Sequence, residues 1–357
     1  MQRADGMNYA PTGKPDPVCE KGELRFAAIG LDHGHIYGMC NGLLEAGAEL
    51  VSVYDPDPEK VAAFCNTYEQ VKIASSEADI LHDDSIKLIA SASIPSERGP
   101  LGIRAMDAGK DYFADKPAFT RLNQLEQARL KTTETGHKFF VYYAERLHVE
   151  SAIFAGQLIE QDAIGRVIQV SGLGPHRINI ESRPDWFFHK DKYGGILCDI
   201  GSHQIEQFLF FSSAKDAKVL HSKVANYFHK EYSELEDFGD ATLVADNGAT
   251  HYFRVDWFTP DGLSVWGDGR TLILGTEGYI ELRKYCDIAR DAESDHVYLV
   301  NHQEEQHFQV KGQVGFPFFG QLIRDCLDRT ETAMPQEHTF KAAELCIKAQ
   351  EQAIRIE

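Results

Sequence analysis

The sequence contains no C-x-x-C pair, no uninterrupted apolar run near the ~18 residues a membrane span needs, and fewer basic than acidic residues. Each lack excludes something. The seven cysteines, Cys19, Cys40, Cys65, Cys198, Cys286, Cys326 and Cys346, are odd in number and scattered, which speaks against a disulfide framework or a cysteine zinc site. Reduced thiols in a cytoplasmic protein are the expectation. The opening MQRADGMNYAPTGKPDPVCEKGE has no apolar core and does not read as a secretory signal. With 36 Lys+Arg against 55 Asp+Glu, the formal charge is −19. Such a surface repels phosphate backbones and anionic lipid heads, so neither a nucleic-acid nor a membrane-surface role is expected. Internal repeats and low-complexity tracts are missing too.

What is present is ordinary globular composition, 43% hydrophobic and 25% charged over 357 residues, enough for about two domains. Residues 1–22, polar and interrupted by Pro11, Pro15 and Pro17, read as an extended arm, flexible alone or docked on a neighbouring subunit. From Leu24 short apolar runs alternate with helical stretches. Strands are expected at 24–30, 49–55, 86–93, 111–114 and 138–144, with helices at 35–46, 58–68, 97–108 and 122–135. Alternation of this kind implies parallel strands covered on both faces, a doubly wound α/β sheet of Rossmann type spanning 23–145. Residues 146–357 have a different texture. A helix (148–160), a strand (167–173), a loop rich in proline and aromatics and a helix (199–211) come first. Strand-like runs from 218 to 302 follow, separated by turns such as Asp246-Asn247-Gly248. Consecutive strands without helices between them imply an α+β domain with a largely antiparallel sheet. Helices at 318–329 and 339–356 end the chain, and in the last one Phe340, Ala343, Ile347 and Ile354 fall on one face, so these helices are expected to pack against the body.

Three segments carry chemistry. The first is the turn Gly30-Leu31-Asp32-His33-Gly34-His35 between a strand and a helix, where free N–H groups and the helix dipole attract an anion. Of the fingerprint G-x-G-x-x-G only Gly30 fits; Asp32 and His35 stand in the other glycine positions. Asp55, 25 residues after Gly30 at the end of the second strand, can accept hydrogen bonds from an adenosine ribose and would repel a 2′-phosphate, favouring NAD over NADP. The turn YDPDPEK equally suits a capping aspartate, and both readings stand. A metal on His33 and His35, with Asp32 and His82, ranks below the nucleotide turn, because H-x-H lacks further ligands at a telling spacing. The second segment, GKDYFADKP, brings Lys116 out at the carboxyl end of a parallel strand, where a lysine can polarise a hydroxyl or an incipient carbonyl oxygen. The third, GGILCDIGSH, spaces Asp199 and His203 four apart on one helix face. His203 is a natural proton acceptor there, and Asp199 can orient it. An N-cap aspartate beside a satisfied core histidine is the plainer alternative.

Taken together, these segments resemble the Gfo/Idh/MocA family of NAD(P)-dependent oxidoreductases from about Leu24 to the last helix. AGKDYFADKPAFT is similar to the family's A-G-K-x-V-x-x-E-K-P, with Asp115 for the usual Glu, and GGILCDIGSHQIEQ matches its G-G-x-x-x-D-x-G-x-H. YYAERLH looks like the Arg-containing segment after the last Rossmann strand, and this implies a place for Arg146 near the cofactor. The resemblance implies Lys116, Asp199 and His203 as the catalytic trio, and oligomer contacts, a homodimer or homotetramer, through the sheet of the second domain. Cofactor contacts are expected from Gly30, Asp32, His33, Gly34, His35, Asp55, Ser93, Pro95, Asp115, Lys116 and Arg146. The segment IPSERGPLG departs from the family by lacking the Asn and His often found there.

The first functional expectation is an NAD-dependent oxidoreductase moving hydride between nicotinamide and the hydroxyl carbon of a sugar, cyclitol or related polyol. Lining would come from His176, Arg177, Trp186, Tyr193 and His203. Two rivals are kept. One is tightly bound NAD used transiently for glycoside cleavage or epimerisation; the other is a non-catalytic sugar- or nucleotide-sensing regulator.

Overall fold

The computed structural model describes residues 6–357; residues 1–5 of the expected arm lie outside the described residues. The first strands are β1 (Arg25–Ile29), β2 (Glu49–Tyr54), β3 (Lys72–Ile73), β4 (Leu88–Ser91), β5 (Asp111–Asp115) and β6 (Phe139–Tyr142). Their connections carry α1 (His35–Glu45), α2 (Pro58–Thr67), α3 (Glu77–Leu81), α4 (Pro95–Asp107) and α5 (Leu122–Thr135). Every pairing is parallel and the strand order is β3-β2-β1-β4-β5-β6, the doubly wound order whose switch point lies between β1 and β4. Central β4 and β5 and the edge strand β6 are buried at every residue, as strands covered on both faces must be. The short β3 and α3 were not expected from the sequence; two exposed residues and a five-residue helix give too little periodicity to see.

The remaining elements begin with α6 (Ala144–Leu147), α7 (Glu150–Glu160), β7 (Val167–Pro175), α8 (Lys190–Tyr193), α9 (Ile196–Asp199) and α10 (Gly201–Ser212). There follow β8 (Ala217–Ala225), β9 (Phe238–Ala245), β10 (Thr250–Asp256), β11 (Arg270–Gly275), β12 (Gly278–Arg283), β13 (His296–Asn301) and β14 (Glu305–Gln309). The chain ends with α11 (Pro317–Asp328), α12 (Gln336–Glu351) and β15 (Ile354–Ile356). A nine-stranded sheet runs β14-β13-β12-β11-β7-β10-β9-β8-β15. It is antiparallel except for β7 with β10 and β8 with β15. One face, including Val170, His251, Phe253, Ile273, Ile280, Leu282 and Leu299, is buried, and α7 and α10 pack against the sheet. The other face keeps Tyr252, Leu272, Leu274 and Tyr279 exposed.

The chain divides into two compact units. Tyr143–Gly315 and Lys341–Glu357 form one; Met7–Tyr142 and Phe316–Phe340 form the other, so α11 belongs with the Rossmann sheet. The described part of the arm lies on its own chain. Gly13 N–H donates to the Glu45 carboxylate at 2.9 Å, and Asp16 and Val18 N–H donate to the carbonyls of Glu45 and Ala46 at 3.0 Å. One expectation is corrected at the C-terminus. The last helix stops at Glu351, and Ile354–Ile356 pairs in parallel with Lys223–Ala225. Ile354, expected on the apolar helix face, is exposed. The alternation Ile-Arg-Ile is a strand pattern that the preceding helical period concealed.

Candidate active site

In the Rossmann unit the site grows from the carboxyl ends of β1, β4 and β5. Gly30 ends β1 with φ +78, and a Cβ there would stand 2.5 Å from Ser93 Cβ. Only glycine meets both conditions, and the close approach seats the β1–α1 turn on the β4–α4 turn. Asp32 Oδ1 takes the Lys60 ammonium at 2.6 Å and Oδ2 takes Ile94 N–H at 3.2 Å. Its charge is therefore offset by a lysine that the sequence reading did not connect to it. Gly34 precedes α1 and supplies no side-chain cap. Pro95 opens α4.

Asp55 meets the turn from β2. Its Oδ2 accepts Leu31 N–H at 2.7 Å and its Oδ1 accepts Asp57 N–H at 2.9 Å. Asp55 thus has the turn role, while the N-cap of α2 is Asp57, which accepts Glu59 N–H at 2.9 Å. Each Asp55 carboxylate oxygen has a second lone pair, so the ribose role is compatible with the turn role.

Asp115 is wholly buried at the end of β5. It faces His35 Nδ1 at 2.9 Å, His33 Nδ1 at 3.5 Å and the Arg98 guanidinium at 3.1 Å. Burial alone would raise its carboxyl; His35 and Arg98 outweigh that and hold it well below the usual carboxylate range. His33 is pushed down by burial and by His35, against the pull of Asp115. The nearby Lys116 charge adds to that lowering. Arg98 also donates to Ser93 O at 2.7 Å, to Lys116 O and to Pro117 O at 3.3 Å, so a buried guanidinium ties the β4–α4 turn to the cis Lys116-Pro117 segment. Arg98 was missed because it sits in a Pro- and Gly-rich stretch. The clue was its inward register with Leu101, Ala105 and Met106 on α4.

His33, His35 and Asp115, rather than Asp32 or His82, come together: one donor atom from each lies within 4.8 Å of the others. Two imidazoles and a carboxylate could hold a metal ion, but the Arg98 guanidinium on the same carboxylate opposes a cation there.

The trio implied by the resemblance divides between the units: Lys116 lies in the Rossmann unit, Asp199 and His203 in the other. Gly194 and Gly195, with φ +90 and +93, turn the chain from α8 into α9. Glu236 and Gln350 accept the N–H groups of Ile196 and Leu197 at 3.0 and 2.9 Å. Asp199 closes α9 and buried His203 lies in the first turn of α10.

Against Gln204, the next residue of α10, lies a carboxylate the sequence did not single out. Glu145 is buried, with Oε2 2.8 Å from Lys284 Nζ and 3.3 Å from Gln204 Nε2, and Oε1 3.8 Å from His176 Nε2. Burial would raise its carboxyl, but Lys284, then His203 and His176, bring it down to about 2. Lys284 was legible: the alternation of β12 puts it in register with inward Ile280 and Leu282.

The expected lining residues separate. His176 joins the Glu145 group, its ring 4.5 Å from Trp266 and its Nδ1 3.2 Å from Gly174 O. The others each meet groups of the protein. Arg177 donates to the carbonyls of Pro260 and Leu263 at 3.1 and 2.8 Å and braces that loop. Tyr193 is buried, its hydroxyl donating to Glu234 O at 3.3 Å and accepting Glu236 N–H at 3.1 Å. Trp186 is buried against Phe187. Arg146 pairs with Glu206, Nε to Oε1 at 2.7 Å, and lies 4.0 Å over the Phe210 ring. Its guanidinium is engaged in packing α6 on α10.

A six-stranded Rossmann sheet with an acidic residue after β2, followed in the chain by an open-faced sheet unit, is the architecture of two-unit dinucleotide-dependent oxidoreductases. The model of the oxidoreductase family with an NAD-binding Rossmann fold matches residues 24–143, and the GFO/IDH/MocA C-terminal domain matches 154–281. A solved structure classed as an oxidoreductase, from Erwinia carotovora atroseptica SCRI1043, is 56% identical and covers 94% of this chain and 100% of its own, with a TM-score of 0.91. The scyllo-inositol 2-dehydrogenase (NAD(+)) of Bacillus subtilis strain 168 is 26% identical over 72% of this chain and 73% of its own. The aldose-aldose oxidoreductase of Caulobacter crescentus, 19% identical over 92% of this chain and 97% of its own, shares the fold with a TM-score of 0.75. The chain belongs to the GFO/IDH/MocA family of oxidoreductases and is an enzyme of that dehydrogenase class.

Proposed function

We propose that the enzyme oxidises a secondary hydroxyl of a sugar, cyclitol or related polyol and uses NAD in preference to NADP. The observation that carries the reading is the doubly wound order β3-β2-β1-β4-β5-β6, with Lys116 following β5 at the carboxyl end of the parallel strands. The turn suits a dinucleotide: Gly34 leaves α1 without a side-chain cap, Asp32 is offset by Lys60, and Asp55 keeps acceptor capacity for ribose hydroxyls. A bound nicotinamide supplies the hydride acceptor. His203 takes the hydroxyl proton, Asp199 orients His203, and Lys116 donates a hydrogen bond to the substrate oxygen as it gains carbonyl character. Arg146, engaged with Glu206, is left out of the cofactor contacts, and His176 is retained at the substrate. The inositol and aldose chemistry of the named relatives supports the substrate class, and the first of them uses NAD(+).

The test is absorbance of reduced nicotinamide with purified enzyme, NAD or NADP, and a panel of sugars and inositols. Turnover is expected with NAD, and Lys116→Ala is expected to lower kcat by about 10²–10³-fold. A Lys116→Ala enzyme as fast as wild type sinks the assigned role. Turnover without added nucleotide would favour cofactor retained through the cycle; ligand binding without any turnover would favour a sensor.

A further inference from the structure

Glu145 and His176 face each other inside the second unit, and the scheme above gives Glu145 no part. Glu145 Oε1 lies 3.8 Å from His176 Nε2, while Oε2 takes the Lys284 ammonium at 2.8 Å and the Gln204 amide at 3.3 Å. Lys284 has no exposed side-chain surface, and Glu145 has 3%. Withdrawing two charges from water is expensive, and apolar residues of similar volume commonly serve stability as well or better. A pair kept at this position therefore invites a chemical role. The other His176 nitrogen, Nδ1, is 3.2 Å from Gly174 O. A carbonyl and an ionised carboxylate only accept hydrogen bonds, so both ring nitrogens face acceptors. A neutral imidazole has one N–H and would turn a lone pair toward one of these oxygens; a doubly protonated ring turns an N–H toward each. Gln204 fixes the arrangement. A Cβ on Gly172 would stand 2.0 Å from Gln204 Oε1, and one on Gly174 3.0 Å from its Nε2. The stretch of β7 that receives His176 Nδ1 thus also admits the side chain that holds Glu145.

We propose that Glu145, anchored by Lys284 and Gln204, is a positioning residue that holds His176 as an imidazolium, so that of the two histidines read at the substrate only His203 can take the proton. The inference rests on the reading that keeps His176 at the substrate. In the oxidation step the substrate O–H bond breaks, its proton bonds to a His203 ring nitrogen, and the hydride leaves the same carbon for nicotinamide. His176 has no lone pair to offer and keeps both protons. An opposite charge within about 4–6 Å favours the charged form of an imidazole. Glu145 supplies that charge: against the effect of its burial, Lys284 first among its neighbours brings its carboxyl down to about 2. Lys284 itself opposes a cation at His176, but it bonds the other carboxylate oxygen. Among the described residues the ring also meets Trp266 at 4.5 Å and Trp257 at 5.5 Å, and the Arg183 guanidinium lies 4.9 Å over the Trp257 ring. Asp256 offers His176 its backbone carbonyl, at 2.8 Å from the N–H, while its carboxylate meets Arg254 at 3.0 Å.

The experiment is 15N NMR of the full chain carrying ring-labelled histidine, with His176→Gln to identify the His176 signals. The shifts of the two ring nitrogens distinguish imidazolium from either neutral tautomer. At pH 7 both His176 nitrogens should be protonated, with a midpoint at least about one pH unit above the ordinary value of about 6.5. Glu145→Gln keeps the shape and removes the charge, and should lower that midpoint by about one to three pH units. Glu145→Gln/Lys284→Met leaves no unpaired ammonium, so it is the safeguard if the single variant fails to fold, and it too should titrate below wild type. A wild-type His176 with one proton at pH 7, or a midpoint that neither folded variant lowers, would overturn the proposal. The readout needs no substrate. If His176→Gln raises KM while the wild-type ring is neutral at pH 7, this inference alone falls. If the midpoints behave as stated while His176→Gln leaves kcat and KM unchanged, the hold of Glu145 on His176 stands and the placing of His176 at the substrate falls.

Discussion

Arg98 and His251 show how single buried side chains set stability here. Arg98 faces Asp115 at 3.1 Å with both side chains fully buried, so Arg98→Met leaves a carboxylate without its guanidinium and the Lys116 and Pro117 carbonyls without a donor. Loss of one partner from such a pair costs about 3–5 kcal/mol; urea unfolding should register it, and adding Asp115→Asn should recover part. A variant as stable as wild type would refute the anchoring role. His251 stacks on Phe208 at 4.7 Å, with Nδ1 2.8 Å from Val170 O, and burial holds it down to about 4 from 6.5. The unfolded chain binds a proton there that the folded chain refuses. Its contribution is therefore whole above about pH 6.5 and declines as pH falls toward 4, by roughly 3 kcal/mol in all. His251→Phe should flatten that part of the stability profile, and an unchanged slope would rule the assignment out.

Helix α1 owes its seat to missing side chains. Gly34, Gly38 and Gly42 recur every fourth residue, so they line one face. On that face Gly34 meets the Met7 backbone, Gly38 the Tyr142 hydroxyl and Gly42 the Phe319 ring. A Cβ on Gly42 would stand 2.3 Å from that ring, within overlap. Gly42→Ala should therefore destabilise by about 1–3 kcal/mol through overpacking, despite alanine's better helix propensity. Adding Phe319→Leu should recover part of the loss. Thermal unfolding of the two variants decides it, since propensity alone predicts a gain.

The whole molecule carries an exposed apolar surface on one face of its nine-stranded sheet. Register puts Tyr252, Ser171 and Leu272 in one cross-strand row and Gln169, Leu274 and Tyr279 in the next. Contiguous apolar patches of this kind mark interaction surfaces, and we propose that a second copy of the chain covers this one. Leu272→Glu with Leu274→Glu should convert a dimer or tetramer to smaller species by light scattering, with the fold retained by circular dichroism. A wild-type monomer at working concentration would refute the proposal. Among the described residues no helix is long and apolar enough to cross a membrane.

The sequence alone determined the alternation of strand and helix up to Tyr142, the change to consecutive strands after it, and the spacing of Lys116, Asp199 and His203, because periodicity and turn residues act over a few positions. It left open whether Asp55 serves a turn or a ribose; the tertiary structure adds a hydrogen bond to Asp55 across 24 residues and leaves both roles standing. Arg146 read as a cofactor contact because its segment follows the last Rossmann strand, yet its partner Glu206 lies 60 residues on. Tyr193 and Arg177 read as pocket lining, and backbone carbonyls up to 86 residues distant engage them. Only folding could decide these pairings, since a buried polar group must find its partner wherever the chain returns. For the same reason the company of Glu145, with Gln204 from 59 residues after it and Lys284 from 139, could be read from the tertiary structure alone.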